Sequence, residues 1–348
     1  MNRKIALFDV HPYDRDSFSE NNRAFGFEIT YFEHKLNPQT VSLTRGLDAV
    51  CLFVNDRVTP EIADALYENG VRLVALRAAG YNNIDLEAVY EKIHVVRVPS
   101  YSPHAVAEHA AALILCLNRK IHKAYYRTRD NNFNINGLLG FDLHGKTAGV
   151  IGTGQIGKIM IRILRGFGMR VLAYDLYPDE AFSRETGCQY AALPRLYAES
   201  DVISLHCPLT AETRHLVNAE SLSRMKRGVM LINTGRGHLI DTQALIDALK
   251  NGKVGAAGLD VYEEESEYFF EDFSSTLITD DVLARLLSFH NVLITSHQGF
   301  FTREALRNIA CTTLENIRDF FENKPLRNEI CYRCKKDFCR KAEKGACF

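Results

Sequence analysis

The sequence predicts an α/β protein built from two doubly wound parallel-sheet domains with a cleft between them. Three observations carry that prediction. Short apolar runs bounded by turn residues alternate with amphipathic stretches, the pattern of βαβ units. The series restarts at Lys146, after an Asn-rich polar stretch over residues 127–137. The length, 348 residues, suits two domains.

The first series has strand-like runs at residues 4–10, 28–33, 49–55, 73–77 and 94–98, with helical stretches such as 60–69 and 86–92 between them. A helix is expected over 104–119, with Pro103 where a first-turn proline is tolerated. The second series has strands at 147–151, 170–174, 201–206, 229–233, 255–261 and 291–295. Six strands with intervening helices match a dinucleotide-binding sheet. The amphipathic stretch 303–321 is too long for a loose tail, and we expect it to return to the first domain. That gives a discontinuous substrate domain of residues 1–103 plus 298–330. Residues 104–297 form the dinucleotide domain, and 331–348 a cysteine-rich basic tail. Pockets favour domain interfaces, hence the expected cleft.

The net charge of −1 gives no general pull toward nucleic acid or acidic membrane. The first apolar run is broken by Asp9, too soon for a signal peptide. The longest apolar helix candidate, 105–117, carries Glu108 and His109 and is too short to span a bilayer. We therefore expect a cytoplasmic protein with neither nucleic-acid nor membrane partners. Cys51, Cys116, Cys188, Cys207 and Cys311 sit in apolar segments and read as reduced core thiols.

A Gly-x-Gly-x-x-Gly run alone is weak, but Gly152-Thr153-Gly154-Gln155-Ile156-Gly157 follows a strand and opens a helix. Gly152 permits the tight turn, Gly154 lets amides approach a pyrophosphate, and Gly157 lets helix and sheet lie close. Ile156, Ile159, Met160, Ile163, Leu164 and Phe167 fall at helical spacing and predict the buried stripe. Asp175 ends the next strand, where an acid can hydrogen-bond ribose hydroxyls and repel the extra phosphate of NADP. The cofactor expected is NAD.

Three further strand ends carry chemistry. Arg236 follows Asn233-Thr234-Gly235, and a guanidinium there can grip a carboxylate through two parallel hydrogen bonds. Glu263, Glu264 and Glu265 follow the strand ending near Val261, where a solvated acidic loop competes with a functional carboxylate. His297 ends a third strand, though a lone histidine is more often structural. Together the three suit a 2-oxo acid: arginine holds the carboxylate, histidine donates a proton to the carbonyl oxygen, and glutamate favours the imidazolium. Nothing in this scheme needs a metal.

The residues resemble the D-isomer-specific 2-hydroxyacid dehydrogenase family, and within it the fermentative D-lactate dehydrogenases. The matching stretches include Arg77-Ala78-Ala79-Gly80-Tyr81-Asn82-Asn83-Ile84-Asp85, Val98-Pro99-Ser100-Tyr101-Ser102-Pro103 and Ala105-Val106-Ala107-Glu108-His109. They continue through the glycine loop, His206-Cys207-Pro208-Leu209-Thr210, Asn233-Thr234-Gly235-Arg236-Gly237, Gly258-Leu259-Asp260-Val261-Tyr262-Glu263 and His297-Gln298-Gly299-Phe300. Resemblance runs from Lys4 to about Asn328. It implies a flavodoxin-like substrate domain, a Rossmann NAD domain and a homodimer or higher homo-oligomer, with residues 118–143 reaching across. It implies Arg236 for the substrate carboxylate, His297 as acid/base and, of the three glutamates, Glu265 as its partner. Ala79 and Gly80 would offer amides to the carboxylate, and Tyr101 would lie over the substrate. Gln155, Ile156, Asp175, Cys207, Pro208, Thr234, Gly235, Arg236 and Asp260 would touch NAD. Thr213 stands where close relatives often carry an Asn near the nicotinamide ribose, and its hydroxyl would substitute in that NAD contact. Phe53, Tyr101 and Phe300 suggest a small apolar wall, which fits pyruvate and D-lactate, although Phe53 reads equally well as core. A bulkier 2-oxo acid is the alternative substrate. An NAD-sensing, corepressor-like binding protein is the alternative class, disfavoured by the complete catalytic set.

The tail carries Cys331, Cys334, Cys339 and Cys347 in a C-x2-C-x4-C-x7-C pattern outside the dehydrogenase core. Such spacing can bind zinc or an iron–sulfur cluster. A disordered tail with reactive thiols and a disulfide switch are the other readings.

Overall fold

The alternating apolar runs assemble into two sheets, each in its own unit, one wholly parallel and the other parallel but for one edge strand. The computed structural model describes residues 3–264, 268–334, 339 and 341–348. One unit joins Met1–Ser102 to Phe301–Phe348, and the other is Pro103–Phe300.

In the first unit the strands lie in the order Glu28–Tyr31, Lys4–Leu7, Ala49–Leu52, Leu73–Leu76, His94–Arg97. These five are parallel. Glu329–Ile330 pairs antiparallel at the His94–Arg97 edge. Every residue of Ala49–Leu52 and Leu73–Leu76 is buried, as expected for strands covered on both faces. Helix Arg303–Phe321 supplies one cover. Thr302 caps it by accepting the Ala305 amide, and its Ala310, Leu314 and Ile317 pack with Ile5, Leu7, Ala49 and Leu73. Residues 86–92 form successive turns rather than the expected helix. The Asp85 carboxylate takes the Glu87 and Ala88 amides, a local bond that competes with helix.

The second unit holds seven parallel strands, in the order Val292–Ile294, Val254–Leu259, Val229–Asn233, Val202–Leu205, Thr147–Ile151, Arg170–Tyr174, Gln189–Tyr190. Six were expected; the seventh, Gln189–Tyr190, is two residues long and leaves no periodic signal. The order reverses between Thr147–Ile151 and Val202–Leu205. Ligands bind outside the carboxyl ends of strands at such a switch point. Helix Gln155–Gly166 buries Gly157, Met160, Ile161 and Leu164. Ile156, Ile159 and Ile163 are half-buried at the edge of that stripe, and Phe167 is exposed. The expected stripe thus missed Ile161 and wrongly took in Phe167, which caps the helix end before the turn at Gly168. Helix Pro103–Arg119 lies so close to the sheet that a Cβ on Gly258 would meet Leu113 and Leu117 at 3.1 Å. Among the described residues no helix is long and apolar enough to cross a membrane.

Candidate functional site

The glycine loop is shaped by two different demands. Gly152 has φ +93°, and a Cβ there would lie 2.4 Å from the Cys207 amide nitrogen. A Cβ on Gly157 would lie 1.9 Å from the Gly152 carbonyl oxygen. Packing therefore dictates both. Gly154 is different, because nothing lies within 4 Å of the Cβ it lacks. No described protein atom requires glycine there. The space lies at the N-terminus of helix Gln155–Gly166, whose N-cap Gly154 brings no side chain to its amides. Open space at a helix N-terminus fits a pyrophosphate.

Asp175 is tied to the same loop. Its Oδ2 accepts the Thr153 amide at 2.6 Å and the Thr153 hydroxyl at 3.0 Å, and its Oδ1 accepts the Tyr177 amide at 2.9 Å. Burial alone would raise its pKa, but these donors outweigh it and hold the carboxyl below its ordinary range. An ionised acid fixed beside the loop favours ribose hydroxyls and repels a phosphate. We predict that Asp175→Asn lowers the NAD-over-NADP ratio of kcat/KM by about tenfold or more, on about 1.5–3 kcal/mol for a charged hydrogen bond. An unchanged ratio would contradict this role.

Thr234 directly follows the strand Val229–Asn233, and its buried hydroxyl finds no partner among the described residues. A buried, unpaired hydroxyl beside the strand ends is what an incoming cofactor would satisfy. Burial pushes the Cys207 thiol up to about 11, so it is a neutral wall rather than a nucleophile. Thr213 gives its proton to the Pro208 carbonyl at 2.7 Å and accepts the Thr210 amide. That hydroxyl closes its own loop, so its proton is already committed to Pro208.

Arg236 is half-buried, and its guanidinium donates to the Gly235 carbonyl at 2.8 Å. Among the described residues no carboxylate pairs with it. The Asn233 side chain shapes this turn, accepting the Gly235 amide and donating to the Arg236 carbonyl. Gly237 lets it approach the acidic loop: a Cβ would stand 2.1 Å from the Tyr262 carbonyl oxygen.

His297 has φ +52°, in the left-handed region that side chains seldom occupy. Its amide donates to the Asp260 carbonyl at 2.8 Å. The Asp260 side chain is 1% exposed and fixes the rest of the turn. Its Oδ1 accepts Thr295 Oγ1 at 2.5 Å and the Gln298 amide at 2.9 Å, and faces His109 Nε2 at 3.2 Å. Its Oδ2 accepts the Gly299 amide at 2.8 Å. Asp260 thus positions His297 first, whatever it adds to NAD binding. His109 and Thr295, also bonded to each other at 3.0 Å, complete this support. Sequence reasoning singled out neither for it. The only trace was His109 within the Ala105–His109 motif.

Glu263 resolves part of the acidic cluster. It accepts from His215 at 2.7 Å, from His238 at 3.1 Å, and from both the amide and hydroxyl of Thr242. Burial would raise its pKa, but these donors pull it down to about 2. It is a structural hub rather than a solvated acid. A folded pKa below the ordinary 4.5 gives stability that is complete above that value and lost as pH falls toward about 2. We predict that Glu263→Gln lowers thermal stability at neutral pH and that its deficit shrinks over that acid window. A deficit independent of pH would contradict the assignment. Glu265, the expected partner of His297, lies outside the described residues.

In the first unit Arg77 is 1% exposed. It donates to the carbonyls of Phe8 and Asp9 and pairs with Asp14 at 3.3 Å. This anchor rigidifies the start of the Ala79-Gly80 turn. The Ala79 and Gly80 amides make no hydrogen bond to described residues, which suits anion binding. Phe53 is buried with the Arg77 guanidinium 4.7 Å from its ring centroid, as a core residue would be. Tyr101 and Phe300 are each half-buried in their own units.

Residues 111–299 match the family described as D-isomer specific 2-hydroxyacid dehydrogenase, NAD binding domain. The chain is 52% identical to D-lactate dehydrogenase of Escherichia coli over 94% of this chain and 99% of that one. Its fold superposes on a Chlamydomonas reinhardtii pyruvate reductase with TM-score 0.90 and 44% identity, covering 94% and 98% of the two chains. It superposes on Salmonella D-lactate dehydrogenase with TM-score 0.86 and 52% identity, covering 94% and 99%.

Proposed function

Because this chain belongs to the D-isomer-specific 2-hydroxyacid dehydrogenase family, an NAD-dependent oxidoreductase family, we propose that it reduces pyruvate to D-lactate. The observation that carries the reading is the pair Arg236 and His297. They follow Val229–Asn233 and Val292–Ile294, two strands flanking Val254–Leu259 in one sheet, and Arg236 has no described carboxylate to neutralise it.

In this proposal Arg236 grips the substrate carboxylate and sets the direction of the carbonyl. The amides of Ala79 and Gly80 take the same carboxylate. When bound, NADH supplies the hydride that reduces the carbonyl carbon. His297, as imidazolium, donates its proton to the carbonyl oxygen as that oxygen becomes an alkoxide. Glu265 is assigned to favour the charged ring. Gly152, Gly154, Gln155, Ile156 and Gly157 receive the pyrophosphate, Asp175 the adenosine ribose, and Cys207, Pro208, Thr234, Gly235 and Asp260 the rest of the cofactor. Tyr101 and Phe300 remain as walls for a small side chain. A series of 2-oxo acids of rising size, compared by kcat/KM, tests the choice of pyruvate. A maximum at a branched or aromatic side chain would transfer the assignment to a bulkier 2-oxo acid.

We also propose a homo-oligomer joined through residues 118–143. Ile121, Tyr126, Phe133, Ile135 and Leu139 are all exposed there, an apolar set unusual for solvent. A monomer in sedimentation velocity at micromolar concentration would contradict it.

A further inference from the structure

The dehydrogenase chemistry leaves four cysteines of the tail unused, and the fold brings them to one point. Cys331 directly follows the edge strand Glu329–Ile330. Its Sγ lies 3.6 Å from that of Cys334. Cys334 Sγ lies 3.9 Å from Cys339 Sγ and 3.8 Å from Cys347 Sγ, and Cys339 lies 3.7 Å from Cys347. All four sulfurs fall within 4.8 Å of one another. No disulfide joins them. Thiols are weak hydrogen-bonding groups, so four of them gain little from meeting each other alone.

A shared ion explains the spacing. Four metal–sulfur bonds of about 2.3 Å in a tetrahedron give sulfur–sulfur edges of about 3.8 Å. We propose that Cys331, Cys334, Cys339 and Cys347 form a mononuclear tetrathiolate site for a thiophilic divalent cation of the zinc class. A tetrahedral set of four sulfurs selects zinc or iron–sulfur chemistry. A multi-iron cluster attaches its thiolates to different irons and spreads them further than a single shared ion does. All four positions come from protein, so the site is closed and structural. Binding deprotonates the thiols and releases their protons to solvent.

The surroundings support ligand geometry. The Cys331 amide donates to Cys334 Sγ at 3.2 Å, and the Cys347 amide donates to Glu329 Oε2 at 2.5 Å. Lys341 Nζ donates to the carbonyls of Arg327 and Glu329. Phe348 stacks on His94 with centroids 4.3 Å apart. The ion would therefore close the loop from Cys331 to Cys347 and clamp the tail on the antiparallel edge of the first unit's sheet.

The test uses the full chain, purified under reducing conditions without chelator, with zinc and iron counted per chain. Metal-stripped protein is then titrated with Co(II) alone. We expect about one zinc per chain and the visible absorption of tetrahedral tetrathiolate cobalt. Cys334→Ser should abolish that spectrum while dehydrogenase turnover persists, and Cys116→Ser, outside the cluster, should keep it. If Cys334→Ser does not fold, wild-type metal content and the cobalt spectrum decide alone. Substoichiometric metal with no tetrathiolate cobalt spectrum would overturn the proposal. So would a multi-iron cluster, or disulfides among these cysteines under the same conditions.

Discussion

His297→Ala is expected to lower kcat for pyruvate reduction by about 10²–10⁴-fold, the usual worth of a positioned general acid. The reason is the alkoxide. Hydride arriving at the carbonyl carbon places a full negative charge on oxygen, and only a donor aimed at that oxygen removes it as it forms. The turn that carries His297 is made for fixed aim. Its backbone sits at φ +52°, and its amide is tied to the Asp260 carbonyl. Asp260 in turn takes the Gln298 and Gly299 amides and Thr295 Oγ1. NADH affinity, measured by fluorescence titration, should change little, because the glycine loop and Asp175 are untouched. Turnover that survives the substitution unchanged would remove His297 from the chemistry.

Arg236→Gln is expected to lower kcat/KM for pyruvate by about 10²–10³-fold, from about 3–4 kcal/mol for a bidentate charge-assisted contact at 1.4 kcal/mol per tenfold. Much of the loss should appear in KM, since the carboxylate is held in ground state and transition state alike. Arg236→Lys should recover part of it, because an ammonium restores the charge but not the fork. The turn itself should persist, since Asn233 and Gly237 rather than the guanidinium build it. Equal kcat/KM for the arginine, lysine and glutamine forms would rule out carboxylate recognition at this position.

What the sequence made legible follows from the range of each interaction. The glycine loop was readable because its demands are local: a turn, a close approach and a helix start within six residues. Gly152 and Gly157 meet steric walls that any side chain would strike. The ends of the strands leading to Arg236 and His297 were readable from apolar runs, the first fully buried and the second half-buried. The support beneath them was not. His109, Thr295 and Asp260 come from distant stretches of chain, and a hydrogen bond between such stretches leaves no periodicity. Glu263 illustrates the same limit, since its four donors arrive from three separate positions. Errors in elements were local competitions. Asp85 drew amides away from a helix at 86–92, and Phe167 kept helical spacing one residue after the helix had ended. The four-cysteine tail could be read as a spacing but not as a point of convergence, which only the fold supplies.

Arg236 and His297 are proposed to hold and protonate a 2-oxo acid while NADH reduces it. The most direct test mixes purified protein with NADH and pyruvate, follows NADH loss, and resolves the product by chiral chromatography. The expected result is NADH consumed in equal amount to D-lactate formed. NADH that binds but is not consumed, or L-lactate as the product, would contradict it.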